Sequence, residues 1–252
     1  ASILTIQALF FADGGLLALG CNIFNMGFLP CFVAYPFVYR PLSKCLYPPQ
    51  SPGMRGEGGH SGWLAITLAG VVALQLGAFG VVLQTVFSGI SELPFGTFAM
   101  VMLPIHLAIG LVEGLVTFGV VTVVSKARPE LLRSADDSHL IKQTIIGFAV
   151  VTVVTAGVLS AFASTHPDGL EWSVAKVTGQ DELGINENSV AATLESVQNK
   201  SAVLPDYGFR EPLTPEPAVD TSIAGLLGAL ATLIVVTVVA IALRKQAHRQ
   251  SV

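Results

Sequence analysis

Five polar side chains interrupt stretches that are otherwise apolar: Asp13, Asn22, Asn25, His106 and Glu113. Polar groups in such surroundings are costly to bury and mark sites of function or of helix pairing. His106 and Glu113 stand seven positions apart, two turns along one helical face. An imidazole and a carboxylate on one face are donors for a transition metal and groups that relay protons. Two donors about 10 Å apart along an axis cannot share one ion unaided. The same spacing also suits a hydrogen-bonding pair that ties this helix to a neighbour. Asp13, followed by Gly14 and Gly15, has the composition of a capped break in a helix. Gln75 and Gln84 add two neutral amides. No phosphate-binding loop, kinase signature or hydrolase signature is present, and the glycine-rich residues 53–60 do not form a phosphate cradle.

The elements that carry these groups are six apolar segments, at about residues 3–22, 22–39, 62–87, 95–125, 145–163 and 223–243. About 20 helical residues cross the ~30 Å hydrocarbon core. Asp13-Gly14-Gly15 interrupts the first segment, Pro30 and Pro36 interrupt the second, and Pro104 offers a kink in the fourth. Mean hydropathy is +0.68 and only 12% of residues are charged, too few to surface a soluble domain of 252 residues. Strand alternation is absent, which sets aside a β-barrel. The predicted fold class is all-α, a polytopic transmembrane helix bundle with a small acidic extracytoplasmic segment before the last helix.

Loop charges orient the bundle. Arg40, Lys44 and Arg55 follow the second segment, Lys126, Arg128, Arg133 and Lys142 follow the fourth, and Arg244, Lys245 and Arg249 follow the sixth. Short loops rich in Lys and Arg stay cytoplasmic, and six crossings put all three on one side. Ala1 is then cytoplasmic, while residues 88–94 and 166–220 are outside. The outer segment is acidic and reads as a solvated loop or as a piece that docks on the membrane part. Within it, Val190, Leu194 and Val197 fit one short helical face with Asn188 as N-cap. The proline-rich stretch 204–217 is expected to be extended. So few apolar groups cannot form a core alone, so this segment is expected to lean on something else. Cys21, Cys31 and Cys45 have no disulfide spacing and are expected to pack. Small residues at Gly110 and Gly114, at Gly70, Gly77 and Gly80, and at Gly225 and Ala229 predict close helix contacts.

Residues 7–15, Gln-Ala-Leu-Phe-Phe-Ala-Asp-Gly-Gly, and residues 18–27, Ala-Leu-Gly-Cys-Asn-Ile-Phe-Asn-Met-Gly, resemble the membrane core of nickel/cobalt substrate-capture proteins. These are the M components of energy-coupling-factor transporters. Residues 104–107 and Glu113-Gly114 are similar to a later helix of that family. Residues 167–171, Pro-Asp-Gly-Leu-Glu, resemble the signature of the PDGLE domain of N components. The resemblance divides the chain into an M-type core over 1–163, an N-type segment over 164–222, a final transmembrane helix over 223–243 and a basic tail over 244–252. It implies a subunit of the bacterial cytoplasmic membrane that captures Ni²⁺ or Co²⁺ from outside. Its implied partners are a T-type transmembrane coupling subunit, two ATP-binding cassette ATPases and the bilayer, with no nucleic acid and no ATPase site of its own. In this family the metal is held chiefly by the extreme amino terminus and a further upstream His, neither of which stands in this chain. The chain is therefore expected to begin partway through a longer protein, leaving Asp13, Asn22, Asn25, His106 and Glu113 as supporting polar groups. The rival readings are a structural or assembly subunit without metal specificity and an intramembrane enzyme using His106 and Glu113.

Overall fold

The structure, a computed structural model, describes residues 1–46, 62–89, 93–127, 138–164, 166–180, 189–211 and 217–250. Residues 53–60, Arg55, Arg128, Arg133, Asp181, Glu182, Glu187, Asn188 and Glu216 lie outside the described residues. Among the described residues every regular element is helical. Helices α1 (Ser2–Phe10) and α2 (Leu19–Ile23) are followed by a π-helical stretch, Phe24–Tyr39, and by α3 (Arg40–Leu46). Then come α4 (Gly62–Ser88), α5 (Phe95–Ala127), α6 (Ser138–Gly157), α7 (Gly169–Thr178), α8 (Val190–Ser201) and α9 (Pro217–Gln250).

Among the described residues, five helices are long and apolar enough to cross a membrane: Leu19–Cys45, Gly62–Ser88, Phe95–Val124, Ile145–Phe162 and Ala218–Gln246. The expected segment over 3–22 differs. It stops at Phe10 because Ala12, Gly14 and Gly15 take positive φ, which right-handed helix cannot contain. The segment over 22–39 does not break at Pro30 or Pro36, because the wider π-helical winding carries the chain past both. Helix α5 likewise runs through Pro104. The last helix is longer than its apolar part and starts at Pro217, a residue whose fixed φ suits a first helical turn.

The chain forms two compact units. One combines residues 21–138 and 166–184. Its centre is the α4–α5 pair, joined by a link of six residues and therefore antiparallel. The predicted glycine notch is the seam: a Cβ at Gly110 would lie 3.1 Å from Val71 Cα, and one at Gly70 would lie 3.1 Å from Gly114 Cα. The π-helical stretch packs on α4 at a second notch. Asn25 is 2% exposed and sits over Gly77 and Gly80, where a Cβ at Gly77 would come 3.1 Å from the Asn25 carbonyl oxygen.

The other unit combines residues 1–20, 139–165 and 185–252. Here α9 packs against α1 and against the 3-10 turn Leu159–Phe162 that ends the fifth apolar segment. On α9 the close approaches are made at Ala224, Gly225 and Gly228. Ala224 is fully buried, and a Cβ at Gly228 would meet the Phe11 ring at 2.9 Å. Helix α8 forms where expected, but Ser189 is its N-cap, accepting from the Ala192 amide. Val190 and Val197 are exposed, and the inward face carries Leu194 and the buried Gln198. The stretch expected to be extended from Leu204 begins instead with a 3-10 turn, Pro205–Tyr207, and its residues 212–216 lie outside the described residues. All three cysteines are free and exposed instead of packed.

Candidate functional site: a buried clasp and a docked capping box

Within the second unit the break between α1 and α2 is held from a distant part of the chain. The Tyr207 hydroxyl donates to Asp13 Oδ2. Gln7 Nε2 lies 3.4 Å from the same oxygen and 3.3 Å from the Tyr207 oxygen, donating to both. Two backbone bonds flank this trio: the Leu204 amide donates to the Phe10 carbonyl and the Asp206 amide to the Phe11 carbonyl, each at 2.9 Å. The Phe11 and Tyr207 rings stack at 4.7 Å over a core of Ile6, Phe11, Leu204 and Ala224. On the far side of the break, Gln198 Oε1 accepts from the Leu16 amide at 2.9 Å. Arg210 steadies the turn by donating to the Asn199 and Ala202 carbonyls at the end of α8. Arginine at a helix C-terminus meets both the open carbonyls and the negative end of the dipole.

Positive φ values at Ala12, Asp206 and Tyr207 surround the clasp on both sides. Such conformations cost roughly 1–3 kcal/mol each outside glycine and persist where neighbours over-determine them. Burial pushes the Tyr207 phenol up to about 12, and donation to Asp13 adds to the rise. The neutral phenol is thus the bonded form, and the clasp is intact below pH 10. Asp13 does not cap α2, as its composition had implied, because its carboxylate is taken by side chains.

The first unit holds the remaining candidates. Asn25 Nδ2 donates to Gln84 Oε1 at 2.7 Å and its Oδ1 accepts from Gln84 Nε2 at 3.4 Å, a paired amide across two helices. Gln75 Nε2 donates to the Leu103 carbonyl at 2.8 Å, beside the Pro104 interruption of the α5 ladder. Asn22, in α2, is half-buried and engaged in an interaction of its own. His106 Nδ1 lies 2.8 Å from the Met102 carbonyl oxygen. A carbonyl only accepts, so Nδ1 carries the hydrogen and Nε2 is the free nitrogen. The His106 ring edge faces Gly169, where a Cβ would stand 3.0 Å from Cε1 and 3.3 Å from Nε2. Glu113 is exposed and is not brought to His106. The structure therefore does not assemble the His106–Glu113 pair as one site.

Residues 167–171 acquire a physical reading at the same place. Asp168 is the N-cap of α7, its Oδ1 accepting from the Leu170 and Glu171 amides at 2.8 Å each. Glu171 returns a bond from the Asp168 amide at 3.2 Å, completing a capping box. Gly169 lets α7 approach α5, since a Cβ there would come within 2.9 Å of Ile109 Cδ1. Leu170, Val174 and Val177 then pack against the core cluster of Ala78, Val82, Leu93, Phe98 and Met102. The acidic segment does lean on the membrane helices, through this face and through the clasp. Asp168→Ala is expected to cost about 1 kcal/mol, the usual worth of an N-cap. A lower melting temperature with α5 unchanged by hydrogen exchange would check it.

Sequence reasoning missed Gln7, Gln198 and Tyr207. Tyr207 carried one signal, an apolar ring with a polar tip next to a proline turn. Among the described residues no group of three His, Cys, Asp or Glu is arranged to hold a metal ion.

A family model for the cobalt uptake substrate-specific transmembrane region matches residues 1–131, and one for the PDGLE domain matches residues 142–245. The chain is 32% identical over 237 residues to a protein named as a fused nickel transport protein, NikMN, of Archaeoglobus fulgidus. That match covers 92% of this chain and 67% of the relative. It is 35% identical over 136 residues to a protein named as a metal transport protein of Methanocaldococcus jannaschii, covering 53% of this chain and 56% of the relative. It is also 30% identical over 141 residues to the cobalt transport protein CbiM of Sorangium cellulosum, covering 51% and 53%. The chain thus spans about two thirds of the first relative and just over half of the other two. No solved structure matches. Each compact unit draws elements from both matched regions, so the clasp joins Asp13 of the first to Tyr207 of the second. With both regions matched in one multi-pass membrane chain, this protein belongs to the cobalt-uptake substrate-specific transmembrane family, in the form that carries a PDGLE domain behind it.

Proposed function

We propose that this chain is the substrate-specific membrane subunit of an ATP-driven nickel or cobalt importer, working with a separate transmembrane coupling subunit and two ATP-binding cassette ATPases. The observation that carries the reading is the continuous similarity, over 92% of the chain, to a protein named for nickel transport. The metal is cargo, taken up on the outer side. The sidedness follows from charge: the basic residues after Tyr39, Val124 and Leu243 face the cytoplasm, which puts 164–222 outside. Counting α1 as a crossing or not changes only the side of Ala1, since the three basic stretches are separated by two crossings each.

In this reading the in-membrane polar groups support the fold around the cargo path. The Asn25–Gln84 and Gln75–Leu103 bonds lock helices together, where polar pairs act as glue. The clasp holds the Asp-Gly-Gly break in one conformation, and the α7 capping box seats the outer segment. Asn22, His106 and Glu113 are assigned supporting roles, with no direct bond to the ion. The test is co-purification. The full natural polypeptide, tagged and co-expressed with candidate coupling and ATPase subunits from the same genome, is expected to bring both down in stable stoichiometry. A well-folded polypeptide that retains neither contradicts the reading.

A further inference from the structure

Residues 3–22 are apolar over enough length to make one helix of about 30 Å, yet α1 stops at Phe10. Gly14 and Gly15 take positive φ readily, but the first left-handed position, just past the C-cap, falls on Ala12 with φ 54°. Glycine is the usual occupant there. The open backbone groups of the break are met from residues 198–206. The Leu204 and Asp206 amides donate to the Phe10 and Phe11 carbonyls, and Gln198 accepts from the Leu16 amide. Asp206 and Tyr207, which bring the strap to Asp13, are themselves at positive φ, 52° and 59°. The broken form therefore carries strain at three non-glycine residues around one contact. One continuous helix would relieve Ala12 and satisfy the Phe10 and Phe11 carbonyls internally. It would also strip Asp13 of Tyr207 and leave a carboxylate mid-helix among apolar neighbours. Each form thus carries a cost that the other lacks, and all of these residues lie in one compact unit.

We infer that residues 204–207 are a catch on a two-state helix, shut in the broken form described above and released when α1 winds on through residues 11–18. The catch lies in the region matched by the PDGLE model and the helix in the region matched by the transmembrane model. Control of the first helix therefore sits in the segment behind the core. The inference rests on the proposed importer for what the two states do: uptake alternates between them, so a catch held shut is as harmful as one that is lost. A merely structural clasp behaves otherwise, since strengthening it leaves uptake level or raises it.

Ala12→Gly separates the two. Glycine relieves the broken form and weakens the continuous helix, so the Leu204 and Asp206 amides should exchange about tenfold more slowly. Nickel uptake by the assembled importer should nonetheless fall several-fold. Slower exchange with uptake unchanged or raised would overturn the inference, as would exchange that does not slow. The opposite push is Gly14→Ala with Gly15→Ala, which places side chains at φ 77° and 65°. The strap amides should then exchange about tenfold faster. The Leu17 and Ala18 amides, which donate to no described residue, should gain helical bonds and become protected. Faster strap exchange without protection at Leu17 and Ala18 is loss of the break with no second state, and it too overturns the inference. Both exchange measurements use the full natural polypeptide in detergent and decide the two states whatever the cargo. A wild-type assembly that takes up no metal overturns the importer reading and with it the use assigned to the catch.

Discussion

Asp13→Ala is expected to open the clasp and reduce metal accumulation by about tenfold or more in cells carrying the assembled importer. The carboxylate is the acceptor for both the Tyr207 hydroxyl and the Gln7 amide. Hydrogen bonds to a charged group contribute roughly 1.5–3 kcal/mol, and 1.4 kcal/mol is a factor of ten in an equilibrium. Removing the acceptor also leaves the half-buried Tyr207 hydroxyl without its acceptor and Gln7 with Tyr207 alone. The strained backbone at Ala12, Asp206 and Tyr207 then loses what over-determines it. The local readout is hydrogen exchange at the Leu204 and Asp206 amides, which donate to Phe10 and Phe11 and should exchange at least about tenfold faster. Tyr207→Phe should act in the same direction but less, since Gln7 still meets Asp13. The double variant should be no worse than Asp13→Ala, because both remove one interaction. In the wild type, alkaline titration should show one of the four tyrosines ionising near pH 12, with clasp protection constant below pH 10 and lost as the pH rises through that range. Unchanged exchange in Asp13→Ala would remove the clasp from the account.

Gly114→Ala is expected to be the most damaging single-methyl change in the α4–α5 pair. Its Cβ would lie 2.7 Å from Thr67 Cα and 2.9 Å from the Thr67 carbonyl oxygen, so the obstacle is backbone and no rotamer can yield. Overpacking typically costs 1–3 kcal/mol, and a helix pair forced apart along a whole seam belongs at the upper end, about 3 kcal/mol. Separation would also loosen the Gln75–Leu103 bond that crosses the same interface. Gly119→Ala is the matched control, five residues on in the same helix with no atom within 4 Å of the added carbon. There alanine's better helix propensity should leave stability unchanged or raised by less than about 1 kcal/mol. Thermal melts of both variants in detergent check the difference, and equal melting temperatures would contradict the seam.

What the sequence made legible was set by period and composition. The helices over 62–88 and 95–127 follow from apolar length alone, and the small residues at 70, 110 and 114 pointed to the seam that they form. Residue types could not show where a break would stop a helix from spanning. Residues 3–22 and 22–39 are similarly apolar and similarly interrupted. One ends at positive-φ residues after Phe10, while the other absorbs its prolines in π-helical winding. The acidic character of 166–220 was plain, but which of its residues faced inward was not. The buried groups there include Ser173, Gln198 and Ala202, which hydropathy does not mark. His106 and Glu113 shared a face by spacing. Within their unit the two then part, because α7 packs over the His106 end of that face. The clasp was out of reach for a simpler reason: its partners are 194 residues apart, and long-range pairing leaves no local pattern.

A membrane assembly specific for nickel or cobalt, built on this chain, is expected to load cells with those metals. Its most direct test is accumulation of radioactive nickel and cobalt by cells lacking other importers of these metals. Those cells would express the full natural polypeptide with its coupling and ATPase subunits. Accumulation is expected to rise several-fold above that of cells given the coupling and ATPase subunits alone, and to be lost when ATP hydrolysis is blocked. Background accumulation of both metals, with all subunits assembled in the membrane, would contradict it.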